Sequence, residues 1–350
     1  MSAPSQGRGA RGGAALLMGL VILAGCTTGG TLGAPPEGSA SGSTGPLTHL
    51  TVGLGYIPSV QFAPFYLAAQ AGYYRAAGLD VEFQNKIDPD LIVLVGQGVL
   101  DIGIGDGTSV VPAVSQGVPI RYVATLYAQS PNVVFAKAGS GITTAADLKG
   151  KRIGTPGKFG SNWIHLQALL ASAGFGPSDV QIVVYADFGQ ATALGGGAVD
   201  AATGYSNNEP VQLARDGIPV TIVCGPGMVE LPGPGLVTGT TTLEQKPAAL
   251  RAFISATLRA IREVAADPET GLTATFTEVP ELAGDREGQL AILQATIALW
   301  QSPYTQQHGL GSIDHAAWDK AATYISSLPE HLVVRPVASA ELVSDGLLTP

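Results

Sequence analysis

A dense group of aromatic and hydrogen-bonding residues lies in residues 55–83, GYIPSVQFAPFYLAAQAGYYRAAGLDVEF. Its first twelve residues include Tyr56, Ser59, Gln61, Phe62 and Tyr66, although aromatic residues make up only 6% of the chain. Aromatic rings offer faces on which a planar solute stacks, and hydroxyl and amide groups can pair with its edges. The pattern predicts a binding site for a small planar molecule. For Phe62, burial in the hydrophobic core is the alternative.

Three further turns combine aromatic and polar side chains at the predicted starts of helices. Glycines beside an aromatic ring let a ligand approach the backbone, and unpaired N–H groups at a helix start attract acceptor atoms. Helix capping is the competing interpretation for the polar residues. The predicted ligand contacts are Asp106 and Thr108 in the first turn, Phe159, Gly160, Ser161 and Trp163 in the second, and Tyr205, Asn207 and Glu209 in the third.

The chain lacks the residue patterns of common catalytic and metal sites. Its five histidines are scattered, without a two-histidine metal spacing or a nucleophilic serine motif beside them. The two cysteines lie far apart, so neither a disulfide nor a cysteine-based metal site is predicted, and Cys224 is expected to be buried. The sequence therefore indicates binding without catalysis and without a cofactor. A net charge of -9 and a pI near 5.0 argue against nucleic acid as a partner.

Alternating apolar runs and helical periodicities must position these residues. Residues 50–54 predict a strand, a helix opens at Pro64, and residues 81–83 predict a second strand, so the unit is a βαβ and implies a parallel sheet. The rhythm recurs in the middle of the chain, and 350 residues are enough for two lobes. We expect lobe 1 to comprise residues 48–135 and 224–350, lobe 2 residues 136–223, and the two crossings to lie near residues 133–136 and 220–235.

The first 47 residues have the pattern of a membrane-targeting leader and a tether. Arg8 and Arg11 precede an apolar stretch, residues 14–24, that fits a secretory signal peptide. The stretch leads into LAGC at residues 23–26, which resembles the bacterial lipobox and implies cleavage before Cys26 and its acylation. Residues 1–26 are thus a predicted lipoprotein signal peptide, and the Gly-, Ser- and Pro-rich residues 27–47 a flexible linker. Several acyl chains would anchor the protein stably at the extracytoplasmic membrane face.

The segments GYIPSVQFAPFY and AGYYRAAGLDVEF resemble the opening of the substrate-binding proteins of ABC importers in the nitrate, sulfonate and thiamine-precursor class. Within that class the chain is most similar to the thiamine-pyrimidine and riboflavin-like branch. The resemblance implies an α/β chain with the two-lobed, type II periplasmic-binding-protein fold, in which each lobe is a mixed sheet flanked by helices. It also implies a monomer that captures a small heteroaromatic solute between its lobes and delivers it to an ABC permease.

Two other functions remain as alternatives. Fungal thiamine-pyrimidine synthases are similar in fold and in the opening motif. The positions of their required lysine and histidine align with Gly105 and Ser109 of this chain. Their cysteine cluster aligns near residues 231–236, where this chain has no cysteine. Without the lysine amine no pyridoxal phosphate Schiff base can form. The other alternative is a receptor for sulfonate or nitrate. The opening loop has no basic residue, although Lys158 and helix N-termini could still serve an anion.

Overall fold

The computed structural model describes residues 46–87 and 90–348. The predicted signal peptide with Cys26, and all but the last two residues of the predicted linker, lie outside the described residues. No helix in the described ranges is both long and apolar enough to cross a membrane.

Two five-stranded sheets form the framework of the described chain. The strands are β1 (Thr48–Leu54), β2 (Leu79–Asn85), β3 (Ile102–Asp106), β4 (Ile120–Thr125), β5 (Asn132–Lys137), β6 (Arg152–Thr155), β7 (Gln181–Val184), β8 (Ala201–Tyr205), β9 (Val220–Ile222) and β10 (Pro234–Gly239). The first sheet has the order β2-β1-β3-β10-β4 and the second the order β7-β6-β8-β5-β9.

Both sheets are mixed, as the family resemblance implied. In the first sheet β1 pairs in parallel with β2 and β3, whereas β10 is antiparallel to β3 and β4. In the second sheet β6 is parallel to β7 and β8, whereas β5 is antiparallel to β8 and β9. Parallel neighbours need crossover helices, which accounts for the βα rhythm of the sequence.

Helices cover the sheets. They are α1 (Ala63–Gln70), α2 (Tyr73–Ala76), α3 (Asp90–Gly96), α4 (Gly107–Ser115), α5 (Gly160–Ser172), α6 (Gln190–Gly195), α7 (Glu209–Arg215), α8 (Thr240–Gln245), α9 (Pro247–Ala266), α10 (Pro268–Glu278), α11 (Arg286–Leu299), α12 (Pro303–His308), α13 (His315–Ser326) and α14 (Ser339–Leu342). Short 3-10 helices occupy Val60–Phe62, Ala145–Leu148, Pro177–Asp179 and Pro280–Asp285.

Strand pairing locates the two crossings between the sheets. β5 pairs along its length with β8 of the second sheet, so the first crossing precedes Asn132 instead of lying at residues 133–136. The second crossing follows β9 and ends at β10, which returns to the first sheet. From here on, lobe 1 denotes the first sheet with α1–α4 and α8–α14, and lobe 2 the second sheet with α5–α7.

Apolar packing holds each lobe together and joins the two. In lobe 1, α9 packs on α1, and Tyr74 and Phe253 stack with ring centroids 5.0 Å apart. Ile164 and Ala168 of α5 share one buried cluster with Val110 of α4 and Trp318 of α13. Burial of these side chains gives the lobes a common apolar contact on the α4–α5 side, since removing apolar surface from water is favourable.

Candidate functional site

A cavity lies between the two lobes, where the ends of β1, β3, β6 and β8 and the loops that follow them converge. The cavity volume is about 110 Å³. Rings from both lobes form much of its wall: Tyr56, Phe62, Phe65, Tyr127 and Trp300 from lobe 1 and the segment that leaves it, and Phe159, Phe188 and Tyr205 from lobe 2. The polar side chains on the wall are Gln61, Asp106, Ser161, Asn162, Asn208 and Glu209.

The loop after β1 contributes fewer cavity residues than the sequence predicted. Tyr56 and Phe62 line the cavity, but Ser59 does not: its hydroxyl caps the following 3-10 helix by accepting from the N–H and Nε2 of Gln61, at 3.3 and 3.2 Å. Tyr66 also lies off the wall, buried edge-on against Phe62 and Phe83. Helical periodicity turns Tyr66 toward the core of lobe 1, because α1 packs on α9.

Asp106 connects the two lobes across the cavity. It ends β3 and precedes α4, but its side chain does not cap that helix. Instead its carboxylate accepts a hydrogen bond from Ser161 Oγ at 2.5 Å and another from the Tyr205 hydroxyl, both of lobe 2. Burial raises the pKa of Asp106, because removing a carboxylate from water disfavours its charge. Hydrogen bonds to a carboxylate are strong, so this bridge favours the closed arrangement of the lobes.

Glu209 opens α7, and its carboxylate folds back onto lobe 2. It accepts from the backbone N–H of Tyr205 at 2.9 Å and from Gln190 Nε2 at 3.2 Å. Burial raises its pKa to about 7, and the Tyr205 N–H offsets part of that rise. Its carboxylate therefore has intramolecular partners while it also lines the cavity. The start of α7 has no side-chain cap, so the contacts of Glu209 are with the preceding turn and with α6, and its contact with a ligand stays a prediction.

Three other residues expected to contact ligand lie off the wall. Asn207 is buried, and its Nδ2 donates to Gln61 Oε1 at 2.9 Å and to Thr296 Oγ1 at 2.7 Å, so it connects lobe 2 to lobe 1.

Trp163 faces away from the cavity, and its Nε1 donates to Glu330 at 2.9 Å. Thr108 is fully buried in α4. The helical turn that carries Phe159, Gly160 and Ser161 to the wall points residues two or three positions later elsewhere.

Several wall residues had no recognisable signal in the sequence. Tyr127 lies just after β4 at the first crossing, and Trp300 directly follows α11, about 240 residues beyond the opening motif. Both rings line the cavity and are buried, at 7% and 2% exposure; this buried part of the wall is called the floor below. Phe188 belongs to the turn before α6 and was not among the predicted contacts. Asn208, next to the predicted Asn207, is the asparagine that reaches the cavity.

The cavity wall is acidic and carries no basic group. None of the described residues that line it is Lys, Arg or His, whereas Asp106 and Glu209 are both on it. Lys158, the basic residue closest to the predicted loop, lies exposed with its Nζ 5.9 Å from the Trp163 ring centroid. An anion in this cavity would meet two acidic residues and no cationic side chain.

The position that aligns with the synthase lysine has no amine, and apolar side chains crowd it. A Cβ on Gly105 would lie 2.7 Å from Ile92 Cδ1 and 2.9 Å from Val237 Cγ2. Within the described part of the chain, no three His, Cys, Asp or Glu side chains are grouped to hold a metal ion.

Cys224 is exposed, so the expectation that it is buried was wrong. It lies at the surface in the loop after β9.

Comparison with known proteins identifies relatives of this chain. The family model described as NMT1/THI5 like matches residues 59–271. The chain is 33% identical over 297 residues to the riboflavin-binding protein RibY of Chloroflexus aurantiacus, which spans 83% of this chain and 84% of that protein. It is 24% identical over 323 residues to the formylaminopyrimidine-binding protein of Halalkalibacterium halodurans, covering 89% and 92% of the two chains.

The chain is also similar to an enzyme in sequence and to a solved receptor in structure. The chain is 30% identical over 174 residues to the 4-amino-5-hydroxymethyl-2-methylpyrimidine phosphate synthase of Schizosaccharomyces pombe, covering 49% of each. The alkanesulfonate-binding protein SsuA of Xanthomonas axonopodis pv. citri, solved with MOPS, superposes with a TM-score of 0.66 at 19% identity, covering 86% of this chain and 100% of that one. The predicted two-lobed fold is therefore confirmed.

Proposed function

Because the chain belongs to the NMT1/THI5-like family, we propose that it is the solute-binding component of an ABC importer and captures an uncharged heteroaromatic solute between its lobes. The proposed solutes are riboflavin and, as the second candidate, an aminopyrimidine, the compound classes in the names of two relatives. The observation that carries the proposal is the interlobe cavity, walled by rings from both lobes and polar at a few points. Such walls suit flat, hydrogen-bonding ligands.

Charge distinguishes this proposal from an anion receptor. SsuA shares the fold, but at 19% identity that likeness carries no information about the ligand. A sulfonate or nitrate enclosed in this cavity would lose its hydration without gaining a cationic partner, which costs several kcal/mol for each ion. A neutral ring system meets no such penalty.

The same cavity argues against synthase chemistry. A pyridoxal phosphate enzyme of the related class needs a lysine amine, and Gly105 provides none and is closed in by Ile92 and Val237. The phosphate of pyridoxal phosphate would also lie against a cavity wall that lacks basic side chains. We therefore propose capture and delivery without catalysis, by a protein that acts as a monomer with its permease.

Calorimetric titration of the purified full chain with riboflavin, 4-amino-2-methylpyrimidine and MOPS tests the function. We expect one of the two heteroaromatic compounds to bind with a Kd of about 1 µM or below, which corresponds to about -8 kcal/mol, and MOPS to give no heat of binding. Binding of MOPS alone would contradict the proposal. Failure of all three, together with an aldimine absorbance on adding pyridoxal phosphate, would favour the synthase alternative.

Delivery to a permease requires the receptor to stay near the membrane outside the cytoplasm. We propose that Cys26 is acylated and that residues 27–47 tether the two lobes to the membrane. Replacing Cys26 by Ser (Cys26→Ser) should move the protein from the membrane fraction to the soluble fraction, because the acyl chains supply the anchoring free energy. Immunoblots of both fractions, with Cys224→Ser as the matched control, measure this. An unchanged distribution of the Cys26 variant would refute the anchor.

A further inference from the structure

The rim of the cavity, where it reaches the surface, brings together one ring from each lobe. Tyr56 of lobe 1 and Phe188 of lobe 2 are both partly exposed and both line the cavity. Their ring centroids are 5.1 Å apart, and the ring planes meet at 86°. This is an edge-to-face pair, one of the favourable arrangements of aromatic rings. We infer that Tyr56 and Phe188 form a gate that a solute must open to leave the cavity.

The backbone at Phe188 indicates that its ring is held in place at some cost. Phe188 has a φ of 61°, in the left-handed region that bulky residues seldom adopt. The turn is fixed by its neighbours: the Phe188 N–H donates to Tyr185 O at 3.0 Å, and Asp187 Oδ1 accepts from the Gly189 N–H at 3.1 Å. A glycine would meet this φ without strain. Backbone strain of this kind clusters at functional sites in proteins.

Tyr56 is held equally well on the opposite lobe. Asn85 Nδ2 donates to the Tyr56 carbonyl oxygen at 2.7 Å, which fixes the loop after β1 to the end of β2. Its hydroxyl lies against Asn208 of lobe 2, and burial raises the pKa of Tyr56, with the Glu209 carboxylate adding to the rise. The hydroxyl is therefore neutral and contacts lobe 2 beside Phe188. Two fixed rings in contact across the rim obstruct the exit without contributing to the floor.

A ligand-free measurement tests the gate on its own. The three tryptophans, at positions 163, 300 and 318, are all buried, and Trp300 lies on the floor behind the gate. Phe188→Ala and Tyr56→Ala should each raise the rate at which acrylamide quenches Trp300 fluorescence by roughly three- to tenfold, the factor expected from losing one aromatic pair. Trp300→Phe in the same background assigns the quenched signal to that residue.

A double-mutant cycle separates the gate from independent loosening. Because both rings serve one contact, the double variant should quench no faster than either single variant. Val184→Ala, which shortens an apolar side chain of lobe 2 that is 52% exposed and absent from the wall, should leave quenching unchanged. Additive effects, or quenching that stays at the wild-type rate in the single variants, would overturn the gate.

The second readout is solute release and rests on the proposed function. Stopped-flow displacement of riboflavin should show the dissociation rate rising three- to tenfold in Phe188→Ala, with a smaller change in the association rate and no excess in the double variant. If wild-type protein fails to bind riboflavin, the proposed solute is wrong, and acrylamide quenching still decides the gate. A normal dissociation rate in a variant with fast quenching would restrict the gate to small molecules and overturn its role in holding the solute.

Discussion

Riboflavin 5′-phosphate is expected to bind at least a hundredfold more weakly than riboflavin. The two compounds share the same ring system, but the phosphate adds a charge of about -1.5 to -2 near neutral pH. Asp106 and Glu209 line the cavity and none of its described wall residues is basic, so the phosphate would lose its hydration without gaining a cationic partner. A hundredfold difference corresponds to about 2.7 kcal/mol, well within the cost of an unpaired buried charge.

Calorimetry with both compounds at pH 8 and pH 6 measures this discrimination. It should be smaller at pH 6, because Glu209, with its pKa raised to about 7, then carries less negative charge. Asp106→Asn removes the second carboxylate with little change in shape and should reduce the ratio of the two dissociation constants. Asp216 is exposed and lies outside the cavity, so Asp216→Asn should leave that ratio unchanged. Equal affinities for the two compounds at pH 8 would show that the phosphate finds a countercharge, contrary to the charge argument.

Replacing Glu209 by Gln is expected to raise the free energy of unfolding, relative to the wild type, by about 3 kcal/mol more at pH 8 than at pH 4.5. Burial raises the pKa of Glu209 from 4.5 to about 7. Between these values the unfolded chain is ionised and the folded chain keeps its proton, so unfolding releases a proton. The stabilisation is therefore complete below pH 4.5 and is lost as the pH rises through 7. A shift of about 2.5 units at 1.36 kcal/mol each gives the expected size.

The difference between the two proteins is the quantity to measure, because His165 opposes Glu209 in the wild type. Burial lowers the pKa of His165 to about 4, so its contribution to stability is lost as the pH falls from 6.5 toward 4. Urea denaturation of wild type and Glu209→Gln at pH 4.5, 6 and 8 cancels this contribution. Glu244→Gln, at an exposed helical position, is the control. A difference that is the same at all three pH values would mean that Glu209 is solvated.

The local part of the site was predictable from the sequence, and the part assembled by the fold was not. Tyr56 and Phe62 follow β1 in a loop that a βαβ unit places at the edge where ligands bind, so their positions follow from local pattern. Tyr127 and Trp300 come from a crossing and from the end of α11. The sequence around either residue gives no sign that the chain returns to the same cavity there.

Face and distance also limit what a motif predicts. Asn207 and Asn208 are adjacent, and a single step along the backbone decides that one ties the lobes together and the other lines the cavity. Asp106 was predictable as a polar residue at a strand end. Its role as the acceptor for two hydroxyl groups of the other lobe was not predictable, because these groups belong to residues 55 and 99 positions further along the chain.

The strand β10 illustrates how composition can mislead. Its sequence, PGLVTG, adjoins a Gly/Pro-rich stretch, and this composition predicted that the second crossing extends to Gly235. In the structure every residue of β10 is buried between β3 and β4, with Pro234 at the first position, where a strand tolerates proline. A Cβ on Gly235 would lie 2.2 Å from the Tyr122 ring. Glycine is needed there for close packing, and no turn is involved.

A crystal structure of the full chain with riboflavin is the most direct measurement of the central claim, that the solute is enclosed between the lobes. The ring system is expected inside the cavity, in contact with Trp300 and Tyr127 and closed off from the surface by Tyr56 and Phe188. A flavin bound outside that cavity, for example in the larger pocket beside Glu230 and Tyr304, or bound between lobes that remain open, would contradict it.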